Sequence, residues 1–168
     1  LMPKMTLPVG EIAMLADPMG AAFYVMTPVP PPGQPDAVSD VFSVDQPQHV
    51  RWNELCSPDL ARAAAFYARH FGFQLNDSMP MGPVLGDYRF IDHGGLRVGG
   101  MMALPDGAGP GGWTFYFGVR SAAAAKRAIE AAGGKVEMDL HQVPGGDWVV
   151  IANDPQGARF GVVGPRGE

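Results

Sequence analysis

The chain has 168 residues, 23 of them Gly and 17 Pro, yet 46% of it is hydrophobic and only 17% is charged. So apolar a composition excludes a disordered chain and points to a compact domain of short elements joined by many turns. A net charge of −5 without any run of like charge excludes the footprint of a nucleic-acid or anionic-membrane binder, and the single cysteine, Cys56, excludes an intramolecular disulfide and disfavours a cysteine-based zinc site.

No apolar run reaches the roughly 18 residues of a membrane span, and no signal peptide is visible, so a cytoplasmic location is expected. The chain opens Leu1-Met2-Pro3-Lys4-Met5, without an initiator methionine in first place.

The first element is half of an internal repeat. Asp17, Pro18, Gly20, Ala21, Phe23 and Val25 return as Asp154, Pro155, Gly157, Ala158, Phe160 and Val162 at a constant offset of 137 residues. Each copy predicts a hairpin: an apolar strand, an Asp-Pro-x-Gly turn in which Pro presets φ and Gly supplies a positive φ, then a second strand. Residues 28–48 carry five prolines in their first eight positions and read as an extended linker.

A strand is predicted over 49–56. Ser57 then serves as N-cap and Pro58 as the first helical residue, with a helix over 61–71 whose stripe is Leu60, Ala64, Tyr67 and Phe71 and which Gly72 stops. Further strands are expected over 73–75, 86–92 and 97–103, the last two joined at His93-Gly94-Gly95. Residues 106–112 read as a Gly/Pro loop. A strand over 113–119, the cap Ser121, a helix over 122–132, and strands over 135–140, 147–153 and 158–163 complete the chain. The order is βαβββ twice.

Paired βαβββ units resemble the vicinal oxygen chelate superfamily, which includes glyoxalase I, bleomycin-resistance proteins and extradiol dioxygenases. The resemblance spans residues 49–164 and is carried by Ser57-Pro58-Asp59 leading to Ala65-Phe66-Tyr67, by Phe71-Gly72-Phe73, and by the Asp154-Pro155-Gln156-Gly157 turn. Trp52-Asn53-Glu54-Leu55 is similar to a two-domain, hydroxylase-like branch joined by a Pro-rich linker. The fold it implies is α+β, with the paired units forming a curved mixed sheet, the glyoxalase/bleomycin resistance/dioxygenase fold. Ahead of it stands a β-hairpin left from a truncated upstream domain. On that reading residues 1–27 are the C-terminal hairpin of an incomplete first domain, 28–48 the linker, and 49–164 a complete domain.

The resemblance also implies a cup in the curved sheet with a divalent metal at its base, held by His, Gln and Glu. Matched through Tyr67, Phe117 and the turn aspartates, the ligand positions fall here on Trp52, Thr114, Gly161 (Tyr24 in the other copy) and Met101 or Met102. None of these is a ligand for a hard or borderline cation, so no cofactor is predicted although the family would allow a divalent metal.

Period-two alternation groups Val50, Trp52, Glu54 and Cys56 on one face, with Thr114, Tyr116 and Gly118, and with Arg159, Gly161 and Val163. Two readings stay open. In one, the face is a small-molecule pocket in which Trp52 and Tyr116 give stacking surfaces and Glu54 and Arg159 fix polar ends, with Thr114 also among the ligand-binding residues. In the other, the aromatics fill the cup and Glu54 and Arg159 form a cross-strand pair.

His49, His70, His93 and His141 show no metal-pair spacing and are expected to face solvent, and Cys56 is expected to be a buried, inert thiol. Gly109–Gly112 precedes a strand rather than opening a helix, which removes a phosphate loop.

The functional expectation is a binding module for a small, partly aromatic molecule. The alternatives are an enzyme of the glyoxalase, dioxygenase or hydroxylase type with Glu54 as general base, or a non-catalytic partner of a lost N-terminal domain. An isolated hairpin is marginal, and family members pair such units, so a homodimer is expected as well.

Overall fold

The computed structural model describes residues 1–105, 109 and 111–168, and part of the loop expected over 106–112 therefore lies outside the described residues. Among the described residues the architecture is α+β, with two α-helices and a mixed eight-stranded sheet preceded by a separate three-stranded sheet. By packing the chain divides into two units: Leu1–Ser39 with Leu55–Trp113, and Asp40–Glu54 with Thr114–Glu168.

The first unit begins with β1 (Met2–Leu7), β2 (Gly10–Ala16) and β3 (Ala22–Pro28), an antiparallel meander in the order β1-β2-β3. The hairpin expected from the repeat is β2–β3; β1 is an additional strand in front of it. The Asp17 carboxylate closes the turn, its Oδ1 accepting from the amides of Met19 (2.8 Å) and Ala21 (2.9 Å).

Phe23 of β3 then packs edge-on against Tyr67 and Phe71 of α1 (Leu60–Phe71), at ring separations of 5.9 and 5.5 Å. Beneath α1 lie Leu55, Ile91 and Met101, each fully buried, so the core of this unit is aliphatic in its floor and aromatic in its roof. Burial of side chains of this size stabilises by about 2 kcal/mol each, which is what anchors α1 and the small sheet together.

The N-cap of α1 lies two residues later than its sequence suggests. Asp59 is the N-cap, its side chain accepting from the Arg62 amide, while the Ser57 hydroxyl bonds to Asp59 as a local turn. Gly72 caps the C-terminus in the left-handed conformation.

A strand over 73–75 does not form. Only Gln74 bridges to Asp92, and the strand in this region is β5 (Ser78–Pro80), followed by β6 (Asp87–His93) and β7 (Leu96–Ala103). Phe73 is drawn instead into the aromatic cluster, stacked on Tyr67 at 5.8 Å. The strand order is β5-β6-β7-β4, of which β4 (Val50–Ser57) contributes its C-terminal residues to this unit.

The Tyr67 hydroxyl accepts from Trp113 Nε1 (2.9 Å). Burial raises the Tyr67 pKa far above the usual tyrosine range; the Trp113 bond opposes that shift and the neighbouring Asp17 carboxylate adds to it.

The second unit holds the start of β4, then β8 (Gly112–Gly118), α2 (Ala122–Ala131), β9 (Lys135–Gln142), β10 (Trp148–Asn153) and β11 (Arg159–Gly164), in the order β4-β8-β11-β10-β9. β8 and β11 run parallel, with Gly161 opposite Tyr116, whereas β10 pairs antiparallel with both β11 and β9. Val150 and Ala152 are fully buried, and so is Ala122 of α2, while Val149, Ile151 and Val163 pack with Tyr116 in a separate cluster.

Ser121 caps α2 as expected, accepting from the Ala124 amide at 3.0 Å; the carbonyls of Pro165 and Arg166 take the amides of Ala122 and Ala123. Both hairpin and sheet thus rest on turns and caps that the sequence announces, and on neighbours that it does not.

Candidate functional site

Within the second unit, Trp52, Glu54 and Tyr116 are tied together by direct contacts, and Thr114 and Arg159 form a bonded pair further along β8 and β11 on the same face. Strand β4 places Trp52 and Glu54 two residues apart, hence on one face. Trp52 is half-buried against the cluster of Tyr116, Val149, Ile151 and Val163, with Met138 and Val143 at its margin. The Tyr116 hydroxyl donates to Glu54 Oε1 at 2.9 Å, which orients a half-buried carboxylate beside the indole.

Gly161 explains how Tyr116 lies so flat. A Cβ at that position would overlap the Tyr116 ring, so only glycine lets the ring cross onto β11. Thr114, two residues before Tyr116 on β8, is 1% exposed, and its Oγ1 accepts from Arg159 Nη1 at 2.7 Å. Arg159 Nε in turn donates to Glu137 Oε2 at 2.9 Å, and Asn153 Nδ2 donates to Glu137 Oε1 at 2.5 Å. Polar side chains from β8, β11, β10 and β9 therefore form one ladder. The Asn153 hydrogen bond, and after it the Arg159 pair, hold the Glu137 carboxyl below its ordinary range.

Glu137 and Asn153 are the members that the sequence does not reveal. Along β9 Glu137 alternates with half-buried Val136 and Met138 and so reads as a solvent-facing residue. The structure shifts the register there: Ile151 faces Met138 but Ala152 faces Val136, which leaves Glu137 as an extra residue on its strand. Such a bulge re-aims one side chain, here toward Asn153 and Arg159. An acid in an exposed alternating position next to a turn is its only local signal.

Elsewhere, His70, His93 and His141 are exposed and His49 is half-buried, its Nδ1 against the Pro47 carbonyl at 2.9 Å. Cys56 is half-buried rather than buried. Met101, one of the two alternatives for a metal-ligand position, lies in the hydrophobic core of the first unit.

The side chains at the matched positions in the second unit do not fit a divalent cation. Trp52 offers an indole, Gly161 nothing, and the Thr114 hydroxyl is already bonded to a guanidinium cation. Among the described residues no three His, Cys, Asp or Glu side chains come together as a metal site requires.

A mixed sheet with two helices, built from repeated βαβββ units and presenting this face, defines a class that comparison with known proteins identifies directly. The chain belongs to the glyoxalase/bleomycin resistance protein/dioxygenase superfamily, whose sequence profile matches residues 46–162.

It is 32% identical over 158 residues to CFP32 of Mycobacterium bovis, a protein named as a glyoxylase, covering 93% of this chain and 56% of that protein. It is also 32% identical over 125 residues to the anthracycline biosynthesis protein DauV of a Streptomyces species, covering 66% of this chain and 45% of DauV. The chain thus spans about half the length of these curated relatives.

Among solved structures, methylmalonyl-CoA epimerase of Streptomyces coelicolor in complex with 2-nitronate-propionyl-CoA superposes with a TM-score of 0.52 at 16% identity, over 71% of this chain and 99% of that one. The epimerase of Mycobacterium tuberculosis gives 0.52 at 18% identity, over 69% of this chain and 89% of its own. At such identities the likeness is one of fold. Among the described residues no helix is long and apolar enough to cross a membrane.

Proposed function

We propose that the face carrying Trp52 binds a small molecule with a planar, partly aromatic part, without the divalent metal common in the superfamily. One observation carries this reading: a half-buried indole lies on an apolar floor beside a carboxylate that a buried tyrosine hydroxyl holds in place. Stacking surface next to a few oriented polar groups is what small-molecule sites use for affinity and orientation. The relatives' names support a small-molecule role but do not supply a ligand, since one fold hosts many chemistries. A second reading is that Glu54 acts as a general base, and the bond from Tyr116, which fixes its position, favours it.

The test is a thermal-shift screen with planar aromatic compounds on the native chain and on Trp52→Ala. Compounds that raise the native Tm by several degrees are expected to bind Trp52→Ala at least tenfold more weakly, which is about 1.4 kcal/mol. Equal binding to both proteins would place the ligand elsewhere. Turnover of a bound compound that is lost in Glu54→Gln, with affinity retained, would establish the second reading.

A further inference from the structure

The ladder from Thr114 to Glu137 contains a fixed cation. Arg159 is held at two of its nitrogens, Nε by Glu137 and Nη1 by Thr114, while its side chain remains 44% exposed. A guanidinium has five N–H donors, so this clamp orients the group and leaves donors for a further partner. Long side chains on a surface normally pay rotamer entropy to hold one geometry; here a bulged strand, an asparagine and a buried threonine hold it.

Its position matters as much as its rigidity. Thr114, to which the guanidinium is bonded, and Gly161, two residues along β11 from Arg159, are positions that the resemblance to the superfamily matches to metal ligands. A divalent ion there would meet a like charge at hydrogen-bond range.

We propose that Arg159 is the cationic centre of this face: its guanidinium takes the place of the superfamily's metal and receives the carboxylate or other paired oxyanion of the bound ligand. Glu137 and Thr114 are its positioning residues. This rests on the reading of the face as a ligand site. A guanidinium stays charged at any physiological pH and meets a carboxylate through two parallel N–H···O bonds, so it selects planar oxygen pairs by geometry. The ligand class is therefore a planar molecule with an anionic, two-oxygen end.

Two probes separate this inference from the reading beneath it. Oxalate offers paired anionic oxygens without an aromatic surface; benzamide offers a neutral ring without an anion. Each is titrated into the native chain, Arg159→Gln, Arg159→Lys and Trp52→Ala, following the backbone amide resonances of Thr114 and Gly161, with Tm recorded to verify folding.

Oxalate is expected to shift these resonances in the native chain, to bind Arg159→Gln at least tenfold more weakly, and to bind Arg159→Lys with intermediate affinity. Benzamide is expected to lose affinity in Trp52→Ala and to keep it in Arg159→Gln. Benzamide binding with no Arg159-dependent oxalate binding overturns the cationic centre and leaves the ligand site standing. The reverse pattern overturns the aromatic site alone, and binding of neither overturns both. Parallel loss of both probes in Arg159→Gln makes the residue structural, and uptake of one equivalent of Ni²⁺ at Thr114 by the native chain also overturns the inference.

Discussion

The β2–β3 and β10–β11 hairpins fold alike through their turns and then diverge in what covers them. In both, the Asp amide bonds to the Ala carbonyl at 2.9 Å across the turn. In both, the Asp Oδ1 accepts two further backbone amides, those of Met19 and Ala21 in one copy and of Gln156 and Ala158 in the other. Gly20 and Gly157 take φ values of +92° and +90°.

Directly opposed residues share a face, so register gives the small sheet the apolar rows Met2–Met14–Tyr24 and Met5–Ile12–Met26. Ile12, Met14, Tyr24 and Met26 answer to Val149, Ile151, Gly161 and Val163 at the repeat offset. The latter face is buried beneath Tyr116, Trp52 and Met138, whereas Tyr24 and Met26 are 63% and 46% exposed. A hairpin's local geometry is thus written in its turn, while the burial of its faces depends on which strands and side chains arrive from elsewhere.

Exchanging the two counterpart residues breaks this comparison most sharply. Gly161→Tyr drives a side chain into the Tyr116 ring and is expected to cost about 3 kcal/mol or more, enough to unfold the second unit in a thermal melt. The reciprocal Tyr24→Gly, on an exposed face, is expected to cost only about 1 kcal/mol. Equal losses for the two would show that the faces are buried alike.

Next in size is the pair Ile151→Ala and Met14→Ala. Ile151 is 6% exposed and packed in the Tyr116 cluster, so truncation is expected to cost about 2–4 kcal/mol by urea denaturation. Met14 is only half-buried, opposite the exposed Tyr24, and its truncation should cost less, about 1 kcal/mol. A Met14 effect as large as that of Ile151 would mean that the small sheet's outer face is covered in solution.

The smallest effect sharpens the comparison at the turns, because the Asp17 copy sits beside Tyr67. The raised Tyr67 pKa means that the fold favours the neutral phenol. Its stabilising contribution is complete below the ordinary tyrosine value of 10.0 and is lost as pH rises above that value toward the folded one. Urea midpoints of the native chain should therefore fall between about pH 9 and pH 11. Tyr67→Phe should be less stable at neutral pH by about 1–2 kcal/mol, since the Trp113 indole loses its acceptor, and should show a weaker alkaline slope. Identical slopes would separate the titration from Tyr67.

Turns, caps and most strand positions were legible because their determinants are local. Asp-Pro-x-Gly spacing, Ser121 before Ala122, and Gly72 after Phe71 act within four residues of themselves. Period-two alternation was also enough to group Trp52 with Glu54 and Thr114 with Tyr116, because strand geometry leaves no other choice.

The failures have equally definite causes. Asp59 displaced Ser57 as cap because the Ser57 hydroxyl is spent on the adjacent turn. Phe73 left its expected strand to stack on Tyr67 of the preceding helix, whose ring is itself held by Phe23 and Trp113 from far away in sequence. Glu137 joined Arg159 through a bulge that exists only once β9 and β10 are in register. Local chemistry settles where the chain turns and which side chains alternate. Which of those side chains meet, and so whether Arg159 is a loose surface cation or a clamped one, is decided by pairing between distant strands, where one extra residue redirects a carboxylate.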